Sequence, residues 1–167
     1  AIDVVTAHFV PGRIGSNYLS AAVKAGKAVR VLTNSLASND VVPVHAGYAR
    51  YRKRLLRRGV LLHELRASQL VSPKPRRGKK KLPRFGASSS SLHAKVFVMD
   101  KCRVFVGSFN FDPRSLYLNC EMGLMIESEK LGARLTAQMD HLIETRTYHP
   151  FIDTGGRLSW RDTEKNI

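Results

Sequence analysis

Residues Ser91 to Arg114 read SLHAKVFVMDKCRVFVGSFNFDPR, and the rest of the chain is organised around them. Lys95 to Met99 is a predicted strand with His93 and Lys95 at its entrance and Asp100 at its exit. Side chains alternate along a strand, so His93 and Lys95, two positions apart, point to the same face. Val96 to Met99 is continuously apolar, as in a strand covered on both faces. Asp100 and Lys101 then turn the chain into a second run, Arg103 to Val106, which ends in Gly107, Ser108, Phe109 and Asn110.

This grouping carries chemistry. A neutral imidazole is a natural nucleophile for phosphorus when a neighbouring cation neutralises the phosphate oxygens. Lys95 is such a cation. Ser108 and Asn110 add hydroxyl and amide donors, and Gly107 allows the backbone to approach an anion closely. A histidine beside a strand is by itself more often structural, so the His-x-Lys spacing alone leaves both readings open.

The longer string narrows them. His93-Ala94-Lys95, four residues, Asp100, and then Gly107-Ser108-Phe109-Asn110 resembles the HKD signature of the phospholipase D superfamily. Asn119-Cys120-Glu121 resembles that family's Asn-x-Glu element. Asn34-Ser35-Leu36-Ala37-Ser38-Asn39-Asp40 with Val44-His45-Ala46-Gly47-Tyr48 is similar to the bacterial cardiolipin synthase branch. The resemblance covers most of residues 2 to 146 and implies catalysis by His93, Lys95 and Asp100. In that reading His93 is the nucleophile or the general acid, and Lys95, Ser108 and Asn110 bind phosphate oxygens. Glu121 orients His93, Asp100 mainly holds the motif together, and His8 and His45 lie towards the substrate entrance. No metal and no cofactor is implied. Superfamily enzymes assemble one site from two HKD motifs, and no other histidine here is followed two positions later by lysine: His8, His45, His63, His141 and His149 all fail. The chain thus supplies half a site, to be completed by another copy or by the rest of a longer protein.

Composition sets outer bounds. The length of 167 residues suits one HKD domain, and 43% apolar content suffices for one core. Lys and Arg outnumber Asp and Glu by 28 to 13, a formal charge of +15 that favours anionic partners, either a phospholipid surface or nucleic acid. Cys102 and Cys120 make neither a disulfide framework nor a zinc pattern, which suits a reducing compartment. No apolar run approaches the roughly 18 to 20 residues that span a bilayer, so peripheral membrane contact is expected. The resemblance places it on the cytoplasmic face of the bacterial inner membrane. The chain begins Ala-Ile-Asp-Val-Val without a methionine, which points to a piece of a larger polypeptide.

Along the chain, the pattern predicts an α/β fold with a mixed, largely parallel sheet flanked by helices on both faces. Val4 to Val10 reads as a strand, with His8 as a core residue or a pocket wall, and Ser16 as the cap of a helix through Ala25. A strand over Val29 to Thr33 completes a β-α-β unit. Asp40 caps a second helix with the stripe Val44, Tyr48, Tyr51, Leu55 and an outer face rich in arginine. Val60 to Leu65 is a third strand. Residues 72 to 91 hold Pro73, Pro75, Pro83, Lys79 to Lys81 and Ser88 to Ser91, the composition of a mobile basic loop. Such a loop recruits anionic headgroups, tracks a nucleic-acid backbone or serves only as a linker. Met122 to Ile126 is expected as a buried strand and Ser128 to Thr145 as a helix packed on the sheet. Tyr148 to Ile152 reads as a lid or a connection to a partner, and Leu158 to Trp160 as a short strand or substrate-edge segment. Together these imply one half-site of a cardiolipin synthase-like phosphatidyltransferase that acts on an anionic phospholipid such as phosphatidylglycerol through a phosphohistidine. A homodimeric HKD nuclease or a phospholipase D hydrolase is the alternative.

Overall fold

Short apolar strands separated by amphipathic helices build the first half of the fold. A computed structural model of the chain describes residues 1–38, 41–67 and 92–162. It places β1 (Ile2–Thr6), α1 (Gly12–Lys24), β2 (Val29–Asn34), α2 (Val42–Arg57) and β3 (Leu61–Leu65) in succession. α1 starts four residues before Ser16, because Pro11 already holds the helical φ of −65° and opens the turn itself. Ser16 is buried inside the helix and donates its hydroxyl to the Gly12 carbonyl at 2.6 Å. The Asp40 cap and the basic segment of residues 72–91 lie outside the described residues.

The second half comprises β4 (Lys95–Met99), β5 (Arg103–Gly107), α3 (Pro113–Tyr117), β6 (Gly123–Glu127), α4 (Glu129–Arg146), β7 (Thr147–Ile152) and β8 (Leu158–Asp162). All eight strands form one sheet in the order β6-β5-β4-β1-β2-β3-β7-β8. The α/β class and the mixed sheet hold, but the sheet is not largely parallel. Only β1–β2 and β2–β3 pair in parallel, while β1–β4, β3–β7, β4–β5, β5–β6 and β7–β8 are antiparallel. Parallel neighbours need a crossover. α1 and α2 provide two, whereas β4 and β5, like β7 and β8, meet across short turns. Tyr148 to Ile152 is accordingly a strand within the sheet. β6 is no buried strand but the sheet's edge, with Leu124 67% and Met125 58% exposed.

Helices cover both faces. α1 and α2 pack Leu19, Tyr48 and Leu55 onto Val4, Val29, Val31, Val60 and Leu62. On the other face α4 sets Met139 and Ile143 against Leu32, with Val5, Leu92 and Leu142 around them. α4 is also fixed electrostatically: Arg30 donates Nε and Nη2 to the buried Asp3 at 2.7 and 2.8 Å and Nη1 to Asp140 of α4 at 2.5 Å. Under α2, Glu64 accepts from the Tyr48 hydroxyl at 3.0 Å and the Trp160 indole at 3.1 Å, and lies 2.9 Å from Arg52 Nε. The Arg52 guanidinium stacks 4.6 Å from the Tyr48 ring centre and 5.2 Å from that of Trp160. A buried charge is tolerated when paired and hydrogen-bonded in this way. No described helix is long and apolar enough to cross a membrane.

Asn34, at the end of β2, joins three segments through its side chain. Nδ2 donates to the Ala7 carbonyl at 3.2 Å and to the Leu92 carbonyl at 3.1 Å, and Oδ1 accepts from the Leu92 amide at 2.9 Å. The amide therefore pairs with Leu92 as a neighbouring strand would, and Leu92 directly precedes His93. Replacing Asn34 by Ala removes these bonds at a site only 2% exposed, at an expected cost of about 1–3 kcal/mol in urea unfolding. A loss below about 0.5 kcal/mol would contradict the clamp.

The histidines of β3 and β7 give the fold a pH dependence. His63 and His149 face each other with Nδ1 atoms 3.1 Å apart. Burial, then His149 and Arg30, push the His63 pKa down to about 3 against the opposing pull of Asp3. The His149 pKa is also lowered, mainly by burial. The unfolded chain protonates His63 near its ordinary value while the folded chain resists, so stability is full above about 6.5 and falls as pH drops towards 3. Unfolding free energy should fall by roughly 2 kcal/mol for this one group between pH 6.5 and 5, and less in His63→Asn. Equal slopes in the two proteins would refute this origin.

Candidate active site

The candidate site lies where β1 and β5 leave the sheet and β4 enters it. β4 pairs antiparallel with β1, Thr6 against Lys95, and the ladder is continued by the Ala7 amide donating to the Ala94 carbonyl at 3.1 Å. That pairing places Ala7 and His8, after β1, beside His93 and Ala94, before β4. β5 returns antiparallel from β4, so Ser108 to Asn110 emerge at the same end.

His93 is exposed, and the half-buried Lys95 bends back to donate Nζ to the His93 carbonyl at 3.0 Å. The ammonium is thereby held beside the backbone of the imidazole it is expected to assist. Asn110 is fixed more completely. Its Oδ1 lies 3.3 Å from the His8 amide and 3.4 Å from the Thr6 hydroxyl, and its own amide donates to Ser115 Oγ at 3.2 Å. With the oxygen occupied, the Nδ2 group is the donor Asn110 has left for an anion.

Ser108 and Glu121 form a pair across β5 and β6. The Ser108 hydroxyl donates to Glu121 at 2.5 Å and accepts from the Met122 amide at 3.0 Å, while Asn119 Nδ2 donates to the other Glu121 oxygen at 3.1 Å. These bonds, Ser108 foremost, hold the carboxyl below its usual range, and Lys95 acts in the same direction. Glu121 is therefore a carboxylate at neutral pH, electrostatically linked to Lys95. It takes up Ser108 and Asn119, not His93. The β5–β6 register sets Gly107 opposite Gly123, where a Cβ on Gly107 would lie 2.4 Å from the Met122 carbonyl; only glycine permits this approach of the two backbones.

One expected site residue stands elsewhere. Asp100 closes the far end of β4, where Lys27 donates Nζ to its carboxylate at 2.9 Å. At about 3.3 Å per residue, seven residues of extended chain separate it from His93 by roughly 20 Å, so it has no direct part in chemistry there. His45 faces Arg52, 3.0 Å from Nη2, and its pKa is lowered by burial and by that guanidinium. It belongs to the polar cluster under α2. His8 does lie at the site, its backbone on Asn110. Sequence reasoning gave no role to Thr6, Asn34 or Ser115, whose side chains fix Asn110 and the approach to His93. Thr6 has no signal in a β-rich run, and Asn34 had one only as part of a resembling string. Among the described residues no group of three or more His, Cys, Asp or Glu is arranged to hold a metal ion.

The chain matches the family described as "Cardiolipin synthase, PLD-like domain" over residues 1–143. It is 46% identical over 162 residues to cardiolipin synthase C of Escherichia coli (strain K12), an alignment that spans 96% of this chain and 33% of that protein. The chain thus spans about a third of that relative's length. Among solved structures it is similar to Nuc, a phospholipase D family member from Salmonella typhimurium, with TM-score 0.62 at 19% identity over 89% of this chain and 80% of that one. It also resembles phosphatidylserine synthase of Haemophilus influenzae Rd KW20, with TM-score 0.60 at 15% identity over 89% of this chain and 33% of the other. These two likenesses concern the fold. The HKD string on β4 and β5, the sheet that carries it and the match over residues 1–143 together make this chain a member of the cardiolipin synthase family of phospholipase D-like domains.

Proposed function

We propose that the chain is one half-site of a phosphatidyltransferase of the cardiolipin synthase type. The observation that carries this reading is the gathering of His93, Lys95, Ser108, Asn110 and the Glu121 carboxylate at one end of the sheet, in a chain 46% identical to a cardiolipin synthase. Each residue then has a role. An imidazole nitrogen of His93 attacks the phosphorus of a glycerophospholipid, and the bond from phosphorus to the headgroup oxygen breaks. The leaving alcohol takes its proton from an acid in the second half-site. An alcohol on another lipid then attacks the phosphohistidine, giving its proton to the same group, and His93 is released. Lys95 and the Asn110 amide offset the phosphate charge throughout. The Ser108 hydroxyl must turn away from Glu121 to join them.

The second half-site comes from another copy or from the remainder of a longer protein, since one HKD motif supplies one histidine. The charge of +15 supports peripheral contact with an anionic surface at the cytoplasmic face of a bacterial inner membrane. It equally suits a nucleic-acid backbone, and phosphodiester hydrolysis with the same residues is the alternative.

The test is turnover of phosphatidylglycerol to cardiolipin, measured together with mass in solution across a range of concentrations. Activity that follows the dimer supports pairing of two copies. Activity only in a longer two-motif polypeptide supports a half-site. Cleavage of single-stranded DNA without lipid turnover in either form would replace the transferase by a nuclease. In the active form His93→Ala should abolish turnover and leave the fold unchanged. Lys95→Ala should remove about 2.7–4 kcal/mol of transition-state stabilisation, a 10²- to 10³-fold loss in kcat, by analogy with an oxyanion donor. A loss under threefold would mean that Lys95 does not meet the phosphate.

A further inference from the structure

An apolar groove of 450 Å³ opens beside the phosphate-binding turn, a volume within the range of ligand pockets at about 300–1,000 Å³. Val10, Pro11 and the first turns of α1 make one wall, and Phe109, Phe111 and α3 make the other. Its rims are large apolar side chains open to water: Ile14 67%, Tyr18 64%, Leu116 53% and Tyr117 65% exposed. Such a concentration is unusual on a chain so rich in charge.

The floor is firmly built. Phe9 and Phe111 form a parallel bridge, and the Val10 amide donates to the Phe111 carbonyl at 2.8 Å. The Phe9 and Phe111 rings pack with centroids 5.4 Å apart. Gly15 lets the Phe111 ring lie against α1, where a Cβ would come within 2.7 Å of it. The two segments forming this floor are the same ones that carry His8 and Asn110. Phe109 stands between Ser108 and Asn110, so the groove begins one residue from the donors assigned to the phosphate.

We propose that this groove holds an acyl chain of the phospholipid whose phosphate lies at His93 and Lys95, an assignment that rests on the phosphatidyltransferase reading for its headgroup. A fixed apolar trough whose wall runs through Phe109 into the turn that carries Ser108 and Asn110 is complementary to a molecule with an anionic head and a hydrocarbon tail. A nucleic-acid strand carries no such tail beside its phosphate. Of the thirteen lining residues only Arg13 and Asp112 are charged.

The probes are lysophosphatidylglycerols with 8, 10 and 12 acyl carbons, each kept below its micellar concentration, with glycerophosphoglycerol as the headgroup alone. Their affinities are measured by calorimetry on the chain and on the Ile14→Ser, Leu116→Ser double variant, whose substituted sites are both more than half exposed and leave the fold intact. Each added methylene should lower Kd about fourfold in the original chain, the equivalent of ~0.8 kcal/mol per buried CH₂. In the variant the factor should fall below twofold while glycerophosphoglycerol binds as before. Affinity that ignores chain length, or equal slopes in the two proteins, overturns the proposal. So does a variant that loses self-association but keeps its slope, because the groove is then covered by protein. A steep slope that flattens in the variant, from an assembled enzyme that never turns over phosphatidylglycerol, keeps the chain-binding groove and discards the transferase.

Discussion

The antiparallel docking of β4 on β1 is the constraint from which the site follows. A strand has two ends, and this pairing puts the entrance of β4 against the exit of β1. His93 and Lys95 are thereby brought to the place where His8 and the apolar Phe9 and Val10 leave the sheet. The hairpin into β5 then returns the Gly107 to Asn110 turn to the same end. Had β4 entered in parallel, the imidazole would face the opposite end of the sheet from Thr6 and His8, and no local adjustment could bring them together. Asn34 secures this arrangement by giving Leu92 a pairing partner one residue before the histidine.

Charge at the site is managed by connection more than by burial. Glu121 is ionised because Ser108 and Asn119 donate to it and Lys95 lies near. In the unliganded chain the carboxylate thus occupies the serine proton that a phosphate is expected to claim, and competes for the ammonium as well. Binding of an anion exchanges one set of partners for another without leaving a donor idle. The buried Glu64 and Arg52 under α2 are a different case, paired with each other and held by Tyr48 and Trp160.

The local parts of this structure were legible in the sequence because their signals are local. The apolar runs of the first three strands and the helix stripes of Tyr48, Tyr51 and Leu55 or of Met139 and Leu142 all reappear. What could not be read depends on pairings between distant segments. Nothing in Met122 to Ile126 distinguishes a central strand from an edge, and an apolar run invites the wrong choice. Tyr148 to Ile152 joins β3 through a register that no local pattern encodes. Asp100 sits close to Lys95 in sequence, yet an extended strand turns that nearness into separation. Thr6 and Asn34 act through single side-chain bonds to main-chain or amide groups, which leave no periodicity to detect.

The edge strand β6 has a consequence for the isolated chain. One side of its backbone pairs with β5 and the other has no strand beside it in the sheet, while Leu124 and Met125, on opposite faces, are both open to water. Natural sheets guard such edges with charge, proline or a covering element, because an exposed apolar edge templates the addition of foreign strands. Over Gly123 to Ile126 there is no charged or proline residue, and the strand's one charge is the exposed Glu127 at its end. Glu127 is then the charge that stands against strand addition along this margin.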